Sequence, residues 1–468
     1  MNLSALLDDF VGFMHSPEFH ALARAGDQPS AFTRRRKLPL PTLVSVMLCG
    51  LPRSVQAELD CFFGHLQHQA ALLQHVSAQA FAQARTKLAA HSLGALNDFL
   101  IGRLEQTGAL PRWHGLRLVA ADASPLRLAL RASHVPRAAP TEQIAFGLYL
   151  PGAEMMLRAA LYSPLQGERQ MLFEHLDALG PDDLLLLDRG YPASWLVSVL
   201  NHREIAFCMR VDKSASGFAA VEQFIRSGLA EQQITLSAPP RKDATDYQCP
   251  AQPQSVRLVR QVAPSGAVRV LMTNLLDTER FPAELFAELY HRRWRIEEAF
   301  KRLKHRLNLE LVSGLSQSAV RQDFDARILC DNLEALVSLA ARQDHDLPEH
   351  RRINRAYAHT VLKPLLPALL LGPAAATATA LQYALQLIAR RTFRHRPGRS
   401  KPSPPRPKPQ PHMNQKPCSM PGVALTWVDC SRPPSDIATY GLTLNRQANE
   451  LVFGLHLADQ DSNFASLA

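Results

Sequence analysis

The chain has 468 residues, 46% of them apolar and 20% charged, which excludes disordered, collagenous and fibrous classes and provides for roughly two to four domains. Lys and Arg number 52 against 42 Asp and Glu, a formal net charge of +10 that points to a polyanionic partner, nucleic acid ahead of an anionic membrane surface. Nine of the basic residues and no acidic one lie between Arg390 and Lys416, so the rest of the chain carries only +1 and must build local basic surfaces. The seven cysteines are scattered and include no C-x-x-C pair, against a disulfide framework or a structural zinc and in keeping with a reducing cytosol. The acidic N-terminus (Asp8, Asp9) is unlike an export signal, so a cytoplasmic protein is expected.

Residues 1–108 read as a helical N-terminal domain, a candidate for binding DNA. Pro39 to Cys49, Ser54 to Leu66 and Ser77 to Leu88 space their apolar residues for helices, after a basic run, Arg34-Arg35-Arg36-Lys37. Ser77 is placed to cap a helix presenting Gln79, Gln83, Arg85 and Lys87. That helix either reads DNA or is the solvated face of a structural helix; the residues leave both open.

From 109 to 210 short apolar runs (Leu116 to Ala121, Ile144 to Leu150, Met155 to Tyr162, Leu184 to Leu187, Glu204 to Arg210) alternate with helical segments, predicting an α/β domain with a mixed sheet. Residues 211–266 turn polar and are read as a β-rich insertion. The α/β domain resumes over 267–345 with a strand at Val268 to Leu275 and one long helix from Phe281 to Leu309. Further helices are expected over 346–389. The uncharged stretch Pro364 to Ala389 is long enough to span a bilayer, yet Gly372-Pro373 divides it into two short buried helices, so no membrane is expected. Residues 390–417 form a basic, Pro-rich segment expected to be disordered, and 418–468 an extension of undefined role.

Two carboxylates stand where α/β folds assemble sites. Asp122 follows the run Leu116 to Ala121, and Asp188 follows Leu184 to Leu187, each read as lying just past the end of a buried strand. On the long helix Tyr290, Arg293, Glu297 and Lys304 recur at helical spacing, with Lys301 on the same face, while Leu289, Ile296, Phe300, Leu303 and Leu307 form an apolar stripe for docking on the sheet. Three carboxylates from separate elements suit two Mg²⁺ ions acting on a phosphodiester, and cations beside them suit a polyanionic substrate.

Tyr290-x2-Arg293-x3-Glu297-x6-Lys304 matches the YREK signature of the insertion-sequence-four family of DDE transposases, and Asp188-Arg189-Gly190-Tyr191 and Val119 to Ser124 resemble the family's two aspartate motifs. The separations, 66 residues from Asp122 to Asp188 and 109 from Asp188 to Glu297, leave room for the family's inserted strands. The resemblance covers about residues 30–400. It implies a ribonuclease H-like catalytic domain and cut-and-paste transposition, with Asp122, Asp188 and Glu297 as catalytic Mg²⁺ ligands (Mn²⁺ able to substitute). Tyr290, Arg293, Lys304, Lys301 and Arg189 would contact DNA. The implied partners are double-stranded DNA, as terminal inverted repeats and target, and a second copy in a synaptic dimer. A hairpin step is implied as well: water nicks the end and the freed 3′-hydroxyl attacks the other strand.

The chain departs from the family at Ala123, where Gly is expected, and in having no Trp in the insertion, so Phe207, Phe218, Phe224 or Tyr247 would have to support a flipped base. Glu298, about 100° round the helix from Glu297, is read as solvent-facing. Asp182 and Asp183 are read as turn residues, and Cys330, with no catalytic His near it in sequence, as structural. Two alternatives are a catalytically inactive DNA-binding derivative and a metal-dependent DNA nuclease without strand transfer.

Overall fold

In the computed structural model the alternating strands of the middle build one nine-stranded sheet, and helices cover both its faces. The structure describes residues 1–34, 37–69, 71–130, 134–211, 218–262, 266, 268–348 and 350–394, with two short strands farther on. The chain divides into two units, 1–414 and 415–468. In the second, Thr443–Asn445 and Val452–Gly454 pair antiparallel. The basic segment 390–417, from residue 395, and nearly all of 418–468 lie outside the described residues.

Six helices open the first unit: α1 (Leu3–His15), α2 (Pro17–Leu22), α3 (Leu40–Leu48), α4 (Val55–Leu66), α5 (Ala78–Arg85) and α6 (Ser92–Gln106). Ser77 does cap α5, its hydroxyl accepting from the Ala80 N–H at 3.2 Å. Strands β1 (Arg112–Trp113), β2 (Leu116–Arg127), β3 (Glu142–Leu150) and β4 (Met155–Tyr162) form antiparallel pairs; helix α7 (Glu168–Phe173), β5 (Asp183–Leu187), α8 (Ser194–His202) and β6 (Ala206–Val211) follow. β5 runs parallel to β2 on its other side and β6 parallel to β5, so the core order β4-β3-β2-β5-β6 is that of a ribonuclease H-like domain. Arg117 locks the β2–β5 register: its guanidinium donates to both oxygens of Asp183 at 2.5 and 2.7 Å, opposite which it sits in the ladder. Asp183 is therefore the buried first residue of its strand and not a turn residue.

The region 211–266 departs from expectation. It contains α9 (Ala219–Ser227), β7 (Glu231–Leu236), α10 (Arg241–Asp246) and β8 (Gln254–Val262), so helix shares it with strand. Its strands extend the central sheet, in the order β6-β9-β8-β7, where β9 is Val268–Thr273. The apolar alternation of β8 (Val256 and Leu258 facing one side, Val259 the other) is buried on both faces, which the polar flanks disguise in the sequence.

Beyond the sheet run α11 (Leu285–His291), α12 (Trp294–His305), the 28-residue α13 (Gln317–Asp344), β10 (Arg351–Ile353), α14 (Arg355–Leu362), α15 (Leu366–Leu371), α16 (Ala374–Arg390) and β11 (Thr392–Arg394). The long helix expected from Phe281 to Leu309 is thus two helices. Pro282 has no N–H, and the first bonds after it are tight three-residue turns. The same tight bonding recurs at the α11–α12 junction, from Arg292 N–H to Leu289 and Arg293 N–H to Tyr290, both 3.1 Å. Asn308, with φ of +51°, ends the run. The break expected at Gly372-Pro373 is present, and no helix among the described residues is long and apolar enough to cross a membrane.

Alternation sorts the sheet's two faces. Val119, Ala121, Leu185 and Leu187 join the core of the N-terminal helices; Leu118, Ala120, Leu184 and Leu186 pack with Leu289, Ile296, Phe300 and Leu303 of α11 and α12. α13 is buried nearly all round and packs against β4, α3, α6, α12, α14 and α16. At the free edge of β4, Asn332 of α13 caps Met156, accepting from its N–H and donating to its carbonyl, both at 2.8 Å.

Candidate active site

Even-numbered residues of β2 and β5 face α12, and this parity carries Asp122 and Asp188 to the helix bearing Glu297. Asp122 lies inside β2, not past its end as its turn-like flank suggested, because the strand continues to Arg127 by pairing with β3. The parallel ladder to β5 stops at Ala120–Leu186, so Asp122 and Asp188 both lie just beyond it. Opposite Asp122 in the β2–β3 register is Gly147, where a Cβ would lie 3.3 Å from the Phe300 ring and 3.1 Å from Met156 Sδ. That glycine lets α12 lie close on the sheet.

Arg293 is the cation of the group. It is 5% exposed, donates to Glu297 Oε1 at 2.7 Å, and lies 5.9 Å from the Tyr290 ring centre and 5.2 Å from that of Trp294. Its Nε has no hydrogen-bond partner. The sequence reading has Arg293 as a DNA-phosphate contact beside the carboxylates; the structure buries it there, with Asp122 and Glu297 as electrostatic neighbours. Lys304 Nζ donates to the Pro125 carbonyl at 2.5 Å, three residues past Asp122 on β2. Lys301 and Arg189 are exposed, and Tyr290 is 6% exposed, its phenol pushed up to about 12 by burial. Glu298 points outward, 61% exposed and paired with Arg295 at 3.1 Å.

Electrostatics tie the carboxylates together. Burial raises Asp122 to about 7; Arg293 opposes the rise, while the charges of Glu297, Asp188 and Glu168 add to it. Glu168, in the first turn of α7, is a fourth carboxylate that the sequence reading misses; desolvation and the Asp188 charge raise it too. The one local signal, an acidic residue opening a helix after Gly167, is shared by any helix that uses Glu to balance its dipole. Tyr191, fully buried, holds its hydroxyl without a hydrogen-bond partner, and its electrostatic neighbours are Glu168, Asp122, Asp188 and Arg293.

These residues fit divalent cations. The donors are hard carboxylate oxygens whose mutual repulsion one arginine only partly offsets. At Gly190 a Cβ would lie 3.1 Å from Asp188 Oδ1 and 3.6 Å from Glu168 Oε2, so the missing side chain leaves space between two carboxylates. Asp122, Asp188, Glu297 and Glu168 would be the residues to hold such ions, which would supply charge neutralisation at a phosphodiester.

Of the four aromatic residues that might support a flipped base, Phe207 and Phe224 are core residues and Tyr247 stacks on Trp195 at 3.6 Å, which leaves Phe218 half-buried.

Residues 152–333, which carry Asp188 and Glu297 and the helices around them, match the family model of the transposase DDE domain. A curated relative, the transposase InsG for insertion sequence element IS4 of Escherichia coli (strain K12), is 24% identical over 274 residues, 55% of this chain and 60% of that protein's length. Among solved structures, a piggyBac transposase synaptic complex with hairpin DNA aligns with a TM-score of 0.39 and 10% identity over 85% of this chain and 84% of that one. Residues 152–333 thus resemble a transposase DDE domain, and just over half of the chain is similar to InsG, of which it spans about three fifths.

Proposed function

We propose that this chain is an active transposase of an insertion sequence, binding terminal inverted repeats in double-stranded DNA and catalysing cut-and-paste cleavage and strand transfer. The observation that carries the reading is the convergence of Asp122 from within β2, Asp188 from the end of β5 and Glu297 from α12 around the buried Arg293, the last three lying in the segment that matches a transposase DDE domain.

Asp122, Asp188 and Glu297 would hold divalent ions, Mg²⁺ first and Mn²⁺ in its place; when bound, these activate the attacking oxygen and stabilise the leaving one. Arg293, with Nε unpartnered, orients Glu297 and offers its remaining donor toward the scissile phosphate. Lys304, held at the β2 carbonyl of Pro125, and Lys301 and Arg189 on the exposed rim, line the approach of the DNA backbone. Water attacks first and the freed 3′-hydroxyl afterwards; each step is an in-line displacement at phosphorus, so one set of residues serves both hydrolysis and transfer. The working form in this reading is a homodimer bridging two ends.

The test is a linear DNA carrying the gene with its native flanks, incubated with the protein in Mg²⁺ or EDTA. Mg²⁺-dependent cuts at the repeat boundaries, lost in Asp122→Asn, Asp188→Asn and Glu297→Gln with end binding retained, are expected. Specific binding without cutting would make the chain an inactive DNA-binding derivative, and cutting without joining of 3′ ends would make it a nuclease.

A further inference from the structure

Away from the acidic site, the fold gathers three metal-ligand side chains that the proposed function does not use. Cys330 and Glu334 stand four residues apart on α13, on one face of the helix, and are 3% and 2% exposed. His359, on α14, meets them there. Cys330 Sγ lies 3.6 Å from Glu334 Oε1, and His359 Nδ1 hydrogen-bonds the same oxygen. One sulfur, one carboxylate oxygen and one ring nitrogen all fall within 4.8 Å of one another, and this is the only such group among the described residues. The sequence reading passes over Cys330 for want of a histidine; α14 brings one from 29 residues away.

We propose that Cys330, Glu334 and His359 form a site for a divalent transition-metal ion, with Zn²⁺ the ion their donor set favours. The chemistry separates it from the acidic site. Mg²⁺ takes hard oxygens in an octahedron, whereas thiolate and imidazole select softer ions, and Zn²⁺ accepts sulfur, nitrogen and carboxylate in a tetrahedron. With ligand bonds of about 2.0–2.3 Å, tetrahedral ligand atoms sit roughly 3.3–3.8 Å apart. Donors already within 4.8 Å reach that spacing by small side-chain rotations.

The surroundings suit an ion. The His359 side chain is 25% exposed and gives a path in from solvent, while the other two ligands are shielded from it. Cys49, where α3 ends, is an electrostatic neighbour of Cys330 but lies outside the group of three, so water would take the fourth position. Since the ligands come from α13 and α14, which pack together, a bound ion would brace these two helices against each other. A plain His–Glu hydrogen bond accounts for two of the three residues, but gives the buried thiol only a weak contact.

The experiment uses the full-length protein, stripped with chelator and titrated with Co²⁺ and then Zn²⁺ alone. Expected are one Co²⁺ per chain with a thiolate-to-cobalt charge-transfer band and tetrahedral d–d absorption, displacement by Zn²⁺, and a rise in Tm with Zn²⁺. The band is to vanish in Cys330→Ser and to need at least ~10-fold more Co²⁺ in His359→Gln, a half-buried position chosen to spare the fold, while Cys61→Ser leaves it intact. Carboxylate sites give no thiolate band, so ions in the acidic site do not interfere. Absence of the band in the folded wild-type protein, or its survival in folded Cys330→Ser, overturns the proposal and leaves a hydrogen-bonded core cluster.

Discussion

Arg293 donates to Glu297 at 2.7 Å, one helical turn away, so the cation proposed to meet phosphate and the carboxylate proposed to hold metal hold each other inside the protein. Two charges paired this way shield each other, and in the proposed reaction substrate and metal would compete for them. Arg293 also opposes the rise of Asp122, so removing it frees Glu297 and makes Asp122 harder to ionise.

Arg293→Ala is therefore expected to slow single-turnover cleavage by on the order of 10²-fold and to move the acid limb of the pH–rate profile upward. Arg293→Lys, which keeps the charge without the planar fork, should leave the acid limb nearer the wild-type position. An unmoved limb in Arg293→Ala would separate this arginine from the carboxylate cluster.

Asp122 carries a second pH effect. Its folded value of about 7 lies above the ordinary 3.8, so the unfolded chain ionises it first. In metal-free protein its contribution to stability then falls as pH rises from about 4 to about 7, and stays low above that. Asp122→Asn lacks this loss. The variant should match wild type near pH 4 and exceed it by on the order of 2 kcal/mol at pH 8 in EDTA, allowing for partial exposure. Denaturant unfolding at the two pH values measures this difference.

Arg85 of α5 and Asp323 of α13, 238 residues apart and each 5% exposed at the side chain, pair at 2.8 Å; Ser313, Gln322 and the Ala319 carbonyl take the other guanidinium hydrogens. Arg85 thus leaves the polar face on which its helical spacing put it, while Gln79 and Gln83 remain exposed. Arg85→Ala should cost about 3–5 kcal/mol, because buried Asp323 loses its direct ion pair and keeps only the Ser313 N–H and hydroxyl and the Arg327 charge. Faster proteolysis within the first 90 residues would mark the loosened junction.

Asp331, fully buried, accepts from Arg302 at 2.7 and 2.8 Å and from Arg355 at 2.9 Å, joining α12, α13 and α14. Against the cost of its burial, the two guanidinium groups hold its carboxyl down to about 2. Its stabilisation is present above pH 4 and lost as pH falls toward 2. Asp331→Asn should cost about 3–5 kcal/mol at pH 7 and converge with wild type below pH 2, followed by acid unfolding.

The sequence by itself determined what depends on neighbours within a few residues. Ser77 caps α5, strand parity turns Asp122 and Asp188 to the same side of the sheet, and helical spacing puts Glu297 one turn from Arg293. Periods of 2 and 3.6 are local properties of the backbone, so they can be read before the chain folds. The order Asp122, Asp188, Glu297 and the signature around Tyr290 were legible for the same reason.

Only the tertiary structure decided what each of those residues meets. Glu168 reaches Asp188 because α7 packs beside the Asp188–Tyr191 loop, where Arg169 Nε donates to the Gly190 carbonyl at 2.9 Å. Arg85 turns inward because Asp323 waits there, and the inserted strands β7 and β8 join the main sheet because β9 offers them an edge. Cys330, Glu334 and His359 become one cluster only when α14 folds onto α13. A buried charge must find its partner wherever the packing brings one, and packing is settled by apolar surfaces hundreds of residues apart, which no short window of sequence contains.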